Sequence, residues 1–434
     1  MRKSGLTGDE AYVLSKHGKT TEDLGPLKKE IGLMKEDLSN KITKFYASNQ
    51  GEAHLADSDN GKIMDMMVYG KSSQDGTPSL ENPVEIKSVV EPEIKITGKN
   101  LLPFLYKNGS KTENGVTFDV QNDGTIHIYG TASATTYFNF STNIEWGSDS
   151  FSNTNEKYKL VGSLFYNAGN KTLSYVVNEG ATYDFILKPM VVLNTETDLT
   201  YEPYHEQTVT LLYTLNAIPV SSDGNVTIDG QQYVADYVDV ERGKLVRMCK
   251  EKVFDGTEKW RSELSYMVAD IPNFSYVDNN NHEHMTYLLC NKYKVSKTIG
   301  DNDNLIFIRI NGDGVVIKDT LHQSTVDDWK KYLNDNPCIV HCLSAIPEEI
   351  SLTTEEIIAF KALATYYPTT NISVNSEQLD GYTVFNYPIS MANGWNHVKQ
   401  QLNDNRDYIY DMDLQSAEAY VNSEYAVALT ELEV

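Results

Sequence analysis

The amino-acid sequence predicts a mainly β protein, a β-sandwich followed by a second, smaller β domain, with helical segments towards both ends; three observations predict it. Gly115-Val116-Thr117-Phe118-Asp119-Val120 and Ile126-His127-Ile128-Tyr129-Gly130-Thr131-Ala132 alternate around Asn122-Asp123-Gly124-Thr125, a hairpin with its turn chemistry in place. Further alternating strands follow over residues 208–254. Apolar residues at steps of three and four mark residues 24–45 and the stretch from Met391 onward.

Residues 1–23 are polar and mixed in charge, and read as a flexible or docking arm. Over residues 24–48, Leu24, Leu27, Ile31, Met34, Leu38 and Phe45 form a heptad seam with one charged fault at Lys41. Pro26 stands where a first helical turn tolerates it. Roughly 22 residues are few for an autonomous coiled coil. Such a helix either fastens two or three copies whose bulk lies elsewhere or lies as an amphipathic helix on its own domain.

Residues 49–97 read as a linker with edge strands. The stretch 51–61 is polar, 63–68 is apolar, and Tyr69-Gly70-Lys71-Ser72-Ser73-Gln74-Asp75-Gly76-Thr77-Pro78-Ser79 carries turn residues at Gly70, Gly76 and Pro78. Pro83-Val84-Glu85-Ile86 and Glu93-Ile94-Lys95-Ile96 alternate as strands, expected to pack at the edge of the sandwich.

The sandwich is assigned to residues 98–206, where aromatic residues interleave with Thr, Ser and Asn. An aromatic face beside amides and hydroxyls suits a sugar ring, whose C–H face stacks while its hydroxyls find partners. Tyr137, Trp146 and Tyr175, each with polar sequence neighbours, are the candidate glycan contacts. The alternative is that aromatics and Thr are simply good strand residues, half of them in the core.

Residues 207–371 read as the second β domain. Thr208-Val209-Thr210-Leu211-Leu212-Tyr213 is a strand, Ser222-Asp223-Gly224-Asn225 a turn, 231–240 a strand pair, 245–254 and 305–310 further strands, and 326–333 with Trp329 a short helix. Cys338-Ile339-Val340-His341-Cys342-Leu343 suits a buried strand. Four residues along a strand separate two Cα atoms by about 13 Å, beyond the ~7 Å limit of a disulfide, so Cys338 and Cys342 should not pair. With His341 they lack a second ligand pair at zinc spacing. Asp301-Asn302-Asp303-Asn304 lacks the glycine and later glutamate of a calcium loop, and His282-Glu283-His284, read as a strand, lacks a third ligand. No metal and no cofactor is expected. Residues 372–434 read as a helical C-terminal region, with Met391, Trp395, Val398, Leu402, Ile409 and Met412 at helical spacing.

The chain resembles minor structural, tail and baseplate proteins of tailed bacteriophages that infect Gram-positive bacteria. The resemblance rests on Gly98-Lys99-Asn100-Leu101-Leu102-Pro103, Asn114-Gly115-Val116-Thr117-Phe118, Asn122-Asp123-Gly124-Thr125-Ile126 and Gly130-Thr131-Ala132. The Tyr69 to Ser79 motif, Tyr201-Glu202-Pro203-Tyr204 and Leu363-Ala364-Thr365-Tyr366-Tyr367-Pro368-Thr369-Thr370 complete it, over about residues 60 to 375. It implies a place in a virion, a jelly-roll domain similar to carbohydrate-binding modules, and no particular chemistry.

Composition fits that setting. The formal net charge is −24, with 37 basic against 61 acidic residues, so nucleic acid and anionic membranes are unfavourable partners. No apolar run approaches the roughly 20 residues that span a bilayer, and Gly8-Asp9-Glu10 interrupts any signal core; synthesis and storage in the host cytoplasm are expected. Gly18-Lys19-Thr20 has Val13 where a phosphate loop needs its first glycine. No Gly-x-Ser-x-Gly elbow or His-Glu-x-x-His helix occurs, and no enzymatic activity is expected.

Three functions remain in view. A receptor-binding tail or baseplate protein would show exposed aromatics in a concave groove. A structural fibre, adaptor or decoration protein would show flat or buried ones, and a depolymerase a cleft with carboxylates about 5 to 9.5 Å apart. The reading favoured is a homo-oligomer, preferably a trimer, contacting other virion proteins and host surface polysaccharide.

Overall fold

The computed structural model describes residues 45–103, 109–141, 154–167, 171–277, 282–297 and 304–389. Residues 47–388 form one compact unit, and of the other unit only Phe45, Tyr46 and Ile389 are described. The heptad residues from Leu24 to Leu38, Trp146, Asp301 to Asp303 and the stretch from Met391 lie outside the described residues.

In chain order the principal strands are β1 (Phe45–Gln50), β2 (Ala53–Ala56), β3 (Met64–Tyr69), β4 (Glu93–Thr97), β5 (Val116–Val120), β6 (Ile126–Thr131), β7 (Thr136–Ser141), β8 (Thr172–Val177) and β9 (Thr182–Leu187). They continue as β10 (Glu206–Thr210), β11 (Tyr237–Asp239), β12 (Lys244–Phe254), β13 (Leu288–Cys290), β14 (Cys338–Ser351), β15 (Thr369–Asn375) and β16 (Tyr382–Ile389). Two helices are α1 (Val326–Asp335) and α2 (Thr354–Ala362).

Two sheets make a frame. One has the order β1-β16-β3-β11-β12-β14-β13, the other β10-β4-β15-β2. Alternation buries one row of each strand: Leu55, Ile94, Ile96, Val209, Ile372 and Val374 share a core with Val68, Val238, Leu245 and Phe385. Gly70 allows the chain to pass that core, since a Cβ there would stand 2.6 Å from the Leu215 carbonyl carbon.

The first insertion occupies the gap between β4 and β10, which pair directly with Thr97 opposite Glu206. Residues 98–205 therefore leave and re-enter the frame at neighbouring points. Within them, the sheet of β9, β6, β5 and Ser110–Glu113 and the sheet of β7, β8 and Phe165–Asn167 bury Val116, Phe118, Ile126, Ile128, Phe138 and Leu173 together. This is a sandwich-like arrangement. Gly130 has φ +118, and a Cβ there would lie 2.2 Å from the Gly115 carbonyl oxygen, so the β5–β6 crossing needs both glycines of the sequence motif.

The second insertion rides on the long β12–β14 hairpin, which runs from Lys244 opposite Ser351 to Phe254 opposite Cys338. Residues 255–337 add a five-stranded sheet and α1, closed around Trp260, Met267, Phe274, Tyr293, Trp329 and Leu333. Thr325 caps α1, its hydroxyl accepting from the Asp328 N–H. Cys338 and Cys342 face this core as buried thiols, and the Cys338 sulfur lies 3.5 Å from that of Cys290.

Several expectations are corrected. Phe45, assigned to a helix through residue 48, opens a strand. The polar linker contains β2, whose Leu55 is buried because β2 pairs with β15. Residues 49–97 join the frame rather than edge the sandwich, since β3 pairs with β11 and β16. The C-terminal helical assignment begins too early: β15 and β16 occupy 369–375 and 382–389, so a boundary at 371 would cut a strand. His282–Thr286 is a 3-10 turn, not a strand. No helix among the described residues is long and apolar enough to cross a membrane.

Candidate functional site

Three motifs far apart in sequence meet where the first insertion joins the frame. Lys99, next to the end of β4, is buried, and its Nζ lies 2.9 Å from Asp198 Oδ2 and 3.3 Å from Glu202 Oε1. Asn100 donates from Nδ2 to the Glu202 carbonyl, while its Oδ1 accepts the N–H of Leu102 and Val191. Opposite them, Thr369 donates to Glu196 Oε2, whose Oε1 accepts the N–H of Thr197 and Asp198. Asn371 donates to the Gly98 carbonyl. Tyr366 stacks on His205 at 5.3 Å, its hydroxyl accepting from Gln207.

These contacts surround a cleft of about 730 Å3 lined by Asp57, Asn60, Glu202, His205, Tyr367 and Thr369. The Lys99 ammonium and the Thr200 amide hold the Asp198 carboxyl well below its usual range. Burial pushes Glu202 up against the opposing pull of Lys99. Tyr201, whose hydroxyl donates to the Asp123 carbonyl, is pushed up to about 12, by burial first. Two carboxylates with divergent proton affinities would suit acid and base roles. Here both are turned to one buried ammonium, at the point where the first insertion joins the frame.

The candidate glycan residues are not brought together. β7 and β8 pair with Tyr137 opposite Val176 and Phe138 opposite Tyr175, so Tyr137 and Tyr175 point to opposite faces of their sheet. Tyr175 packs towards the core, 6.2 Å from Phe118 and 6.0 Å from Phe185; burial raises its phenol. Tyr137 is 51% exposed on the outer face, edge-on to Phe165 at 6.5 Å. Asn139 beside it accepts from Ser174 and Thr172.

His341 and the cysteines also separate. Strand alternation turns Cys338, Val340 and Cys342 into the second insertion's core, while His341 faces the other side, its Nε2 3.1 Å from Glu251 Oε2. Among the described residues no group of three or more His, Cys, Asp or Glu is placed to hold a metal ion. Asn304 instead caps a turn, accepting from the Thr320 N–H.

Sequence reasoning missed the joint's charge. A lysine between glycine and asparagine reads as a solvated turn residue, and only the return of residues 196–202 buries it. Helix α2 was missed despite its signal, the reciprocal capping box of Thr353 and Glu356. The chain matches no family model, no curated protein and no solved structure.

Proposed function

We propose that the chain is a non-enzymatic virion protein of the tail or baseplate of a phage of Gram-positive bacteria, and that its first insertion, a jelly-roll-like module, meets a host surface glycan. The observation that carries the glycan reading is the outer face of the β7–β8 sheet. Tyr137 stands exposed there at right angles to Phe165, with the Asn139 amide and the Thr172 hydroxyl beside it, a combination that fits a sugar ring. The charged joint supports the same reading, since it holds the module at a defined orientation on the frame. Copies would associate, preferably as a trimer, through Leu24, Leu27, Ile31, Met34 and Leu38. A purely structural fibre or adaptor role is favoured by one observation, the packing of Phe118, Phe138 and Tyr175 inside the module.

The test is binding of labelled full-length protein to host cells and to their extracted wall polysaccharide. Saturable binding that Tyr137→Ala abolishes at unchanged Tm supports the receptor reading. A folded oligomer that binds neither moves the function to the structural role.

A further inference from the structure

A second candidate site lies where the frame meets the second insertion, away from Tyr137 and from the first insertion's joint, and it starts from a break in the β12–β14 ladder. Arg247 faces Glu348 and Cys249 faces Leu343, so Met248 alone stands opposite Ser344, Ala345, Ile346 and Pro347. A bulge of this size costs ladder hydrogen bonds. Buried Asp236 replaces them: its Oδ1 accepts the N–H of Met248 and of Cys249, and its Oδ2 accepts from the Asn216 N–H and from Arg247 Nη1. The fold thus spends a buried carboxylate on keeping the bulge open.

The bulge walls a cavity of about 290 Å3, just below the usual small-molecule range of about 300–1,000 Å3. Val234, Met248 and Leu343 line it with apolar atoms. Tyr276, His284 and Tyr287 also line it, following one another at 5.6 and 4.9 Å between ring centres; Tyr287 packs with Val234 and Leu343, and Tyr276 is 50% exposed. Ser222, Asp223 and Ser344 add hydroxyls and a carboxylate to the lining.

We infer that this cavity binds one neutral N-acetylated sugar residue. The tyrosine–histidine wall accepts the C–H face of a pyranose ring. The Asp223 carboxylate accepts hydroxyl protons and repels anionic sugars. A fully hydroxylated hexose would leave a hydroxyl unpaired against Met248 and Leu343, which is unfavourable, whereas an acetamido methyl fills that space. The inference goes beyond the proposed function and does not depend on it.

The experiment is a saturation-transfer and chemical-shift titration of the full chain with N-acetylglucosamine, with glucose as the control. Wild type should bind N-acetylglucosamine saturably, with the strongest transfer to the acetamido methyl, and glucose at least tenfold more weakly. Tyr276→Ala, which removes the half-exposed wall, and Ala345→Phe, which fills the cavity, should each lose binding at unchanged Tm. Equal binding of both sugars, no binding by wild type, or undiminished binding by a folded Ala345→Phe protein overturns the inference. A protein that binds whole polysaccharide through Tyr137 yet ignores N-acetylglucosamine refutes this site and leaves the proposed function standing. The reverse pattern refutes the Tyr137 face alone.

Discussion

The first insertion leaves the frame between two adjacent strands and is held by ions and amides: buried Lys99 between Asp198 and Glu202, Asn100 on the Glu202 carbonyl, Thr369 on Glu196. The second continues a hairpin of the frame, and its core runs into that hairpin through Phe254, Cys338, Val340 and Cys342. The difference lies in what each joint supplies. Apolar continuity couples the second insertion to the frame's stability, since burial is non-directional and sums over area. Paired charges add little net stability but strongly penalise misplacement, because a displaced partner leaves a buried charge uncompensated. The first joint therefore sets orientation, and the second sets cooperativity.

The largest effect should come from Trp329→Ala. Trp329 is fully buried against Trp260, Tyr293 and Tyr332, and its truncation should cost about 3–5 kcal/mol. Urea unfolding should show the β12–β14 hairpin weakened with it; a loss under 1 kcal/mol would mean the core is less continuous than described.

Lys99→Met should cost less, about 1–2 kcal/mol, because Asp198 and Glu202 are partly exposed and water takes over their solvation. Limited proteolysis should then cut at the edges of 98–205 while the second insertion stays protected. Equal loosening of both insertions would break the contrast.

Acid should separate the joints by pH. Burial holds the His341 imidazole below its ordinary 6.5, against the upward pull of Glu251 and Asp236. The unfolded chain then binds that proton first, so His341 makes stability fall as pH drops below 6.5. Asp198, held low by Lys99, stabilises above its ordinary 3.8 and loses that contribution only as pH falls through its lower folded value. Hydrogen exchange corrected for intrinsic rates should therefore rise in β12 and β14 at milder acidity than in β4 and β10. His341→Gln should remove the first transition; simultaneous loss in both regions would contradict the assignment.

The smallest effect should be that of Tyr137→Ala on folding, within about 0.5 kcal/mol, since half of that side chain is already in water. A larger loss of Tm would make Tyr137 a packing residue and sharpen the comparison with Trp329.

Much of this architecture was legible in local pattern. The hairpin of β5 and β6, the strands 245–254 and 338–343 and helix α1 around Trp329 all follow from alternation, turn residues and helical spacing. What failed has a common cause. Ala53-His54-Leu55-Ala56 carries one large apolar residue, too little for a strand by itself, and becomes one through pairing with β15. Phe45 kept the heptad step yet lies in a strand, because periodicity over a few residues does not choose between elements.

By itself, then, the sequence determined where the strands with strong alternation, their turns and α1 lie and which residues of such a strand share a face, since both are properties of neighbouring residues. Only the tertiary structure decided that Thr97 meets Glu206, that Lys99 is buried among carboxylates, that Tyr137 and Tyr175 look away from each other, and that Asp236 props open a bulge beside Tyr276. Those facts depend on which strand pairs with which. Pairing is set by contacts between residues distant in the chain, which no local period records.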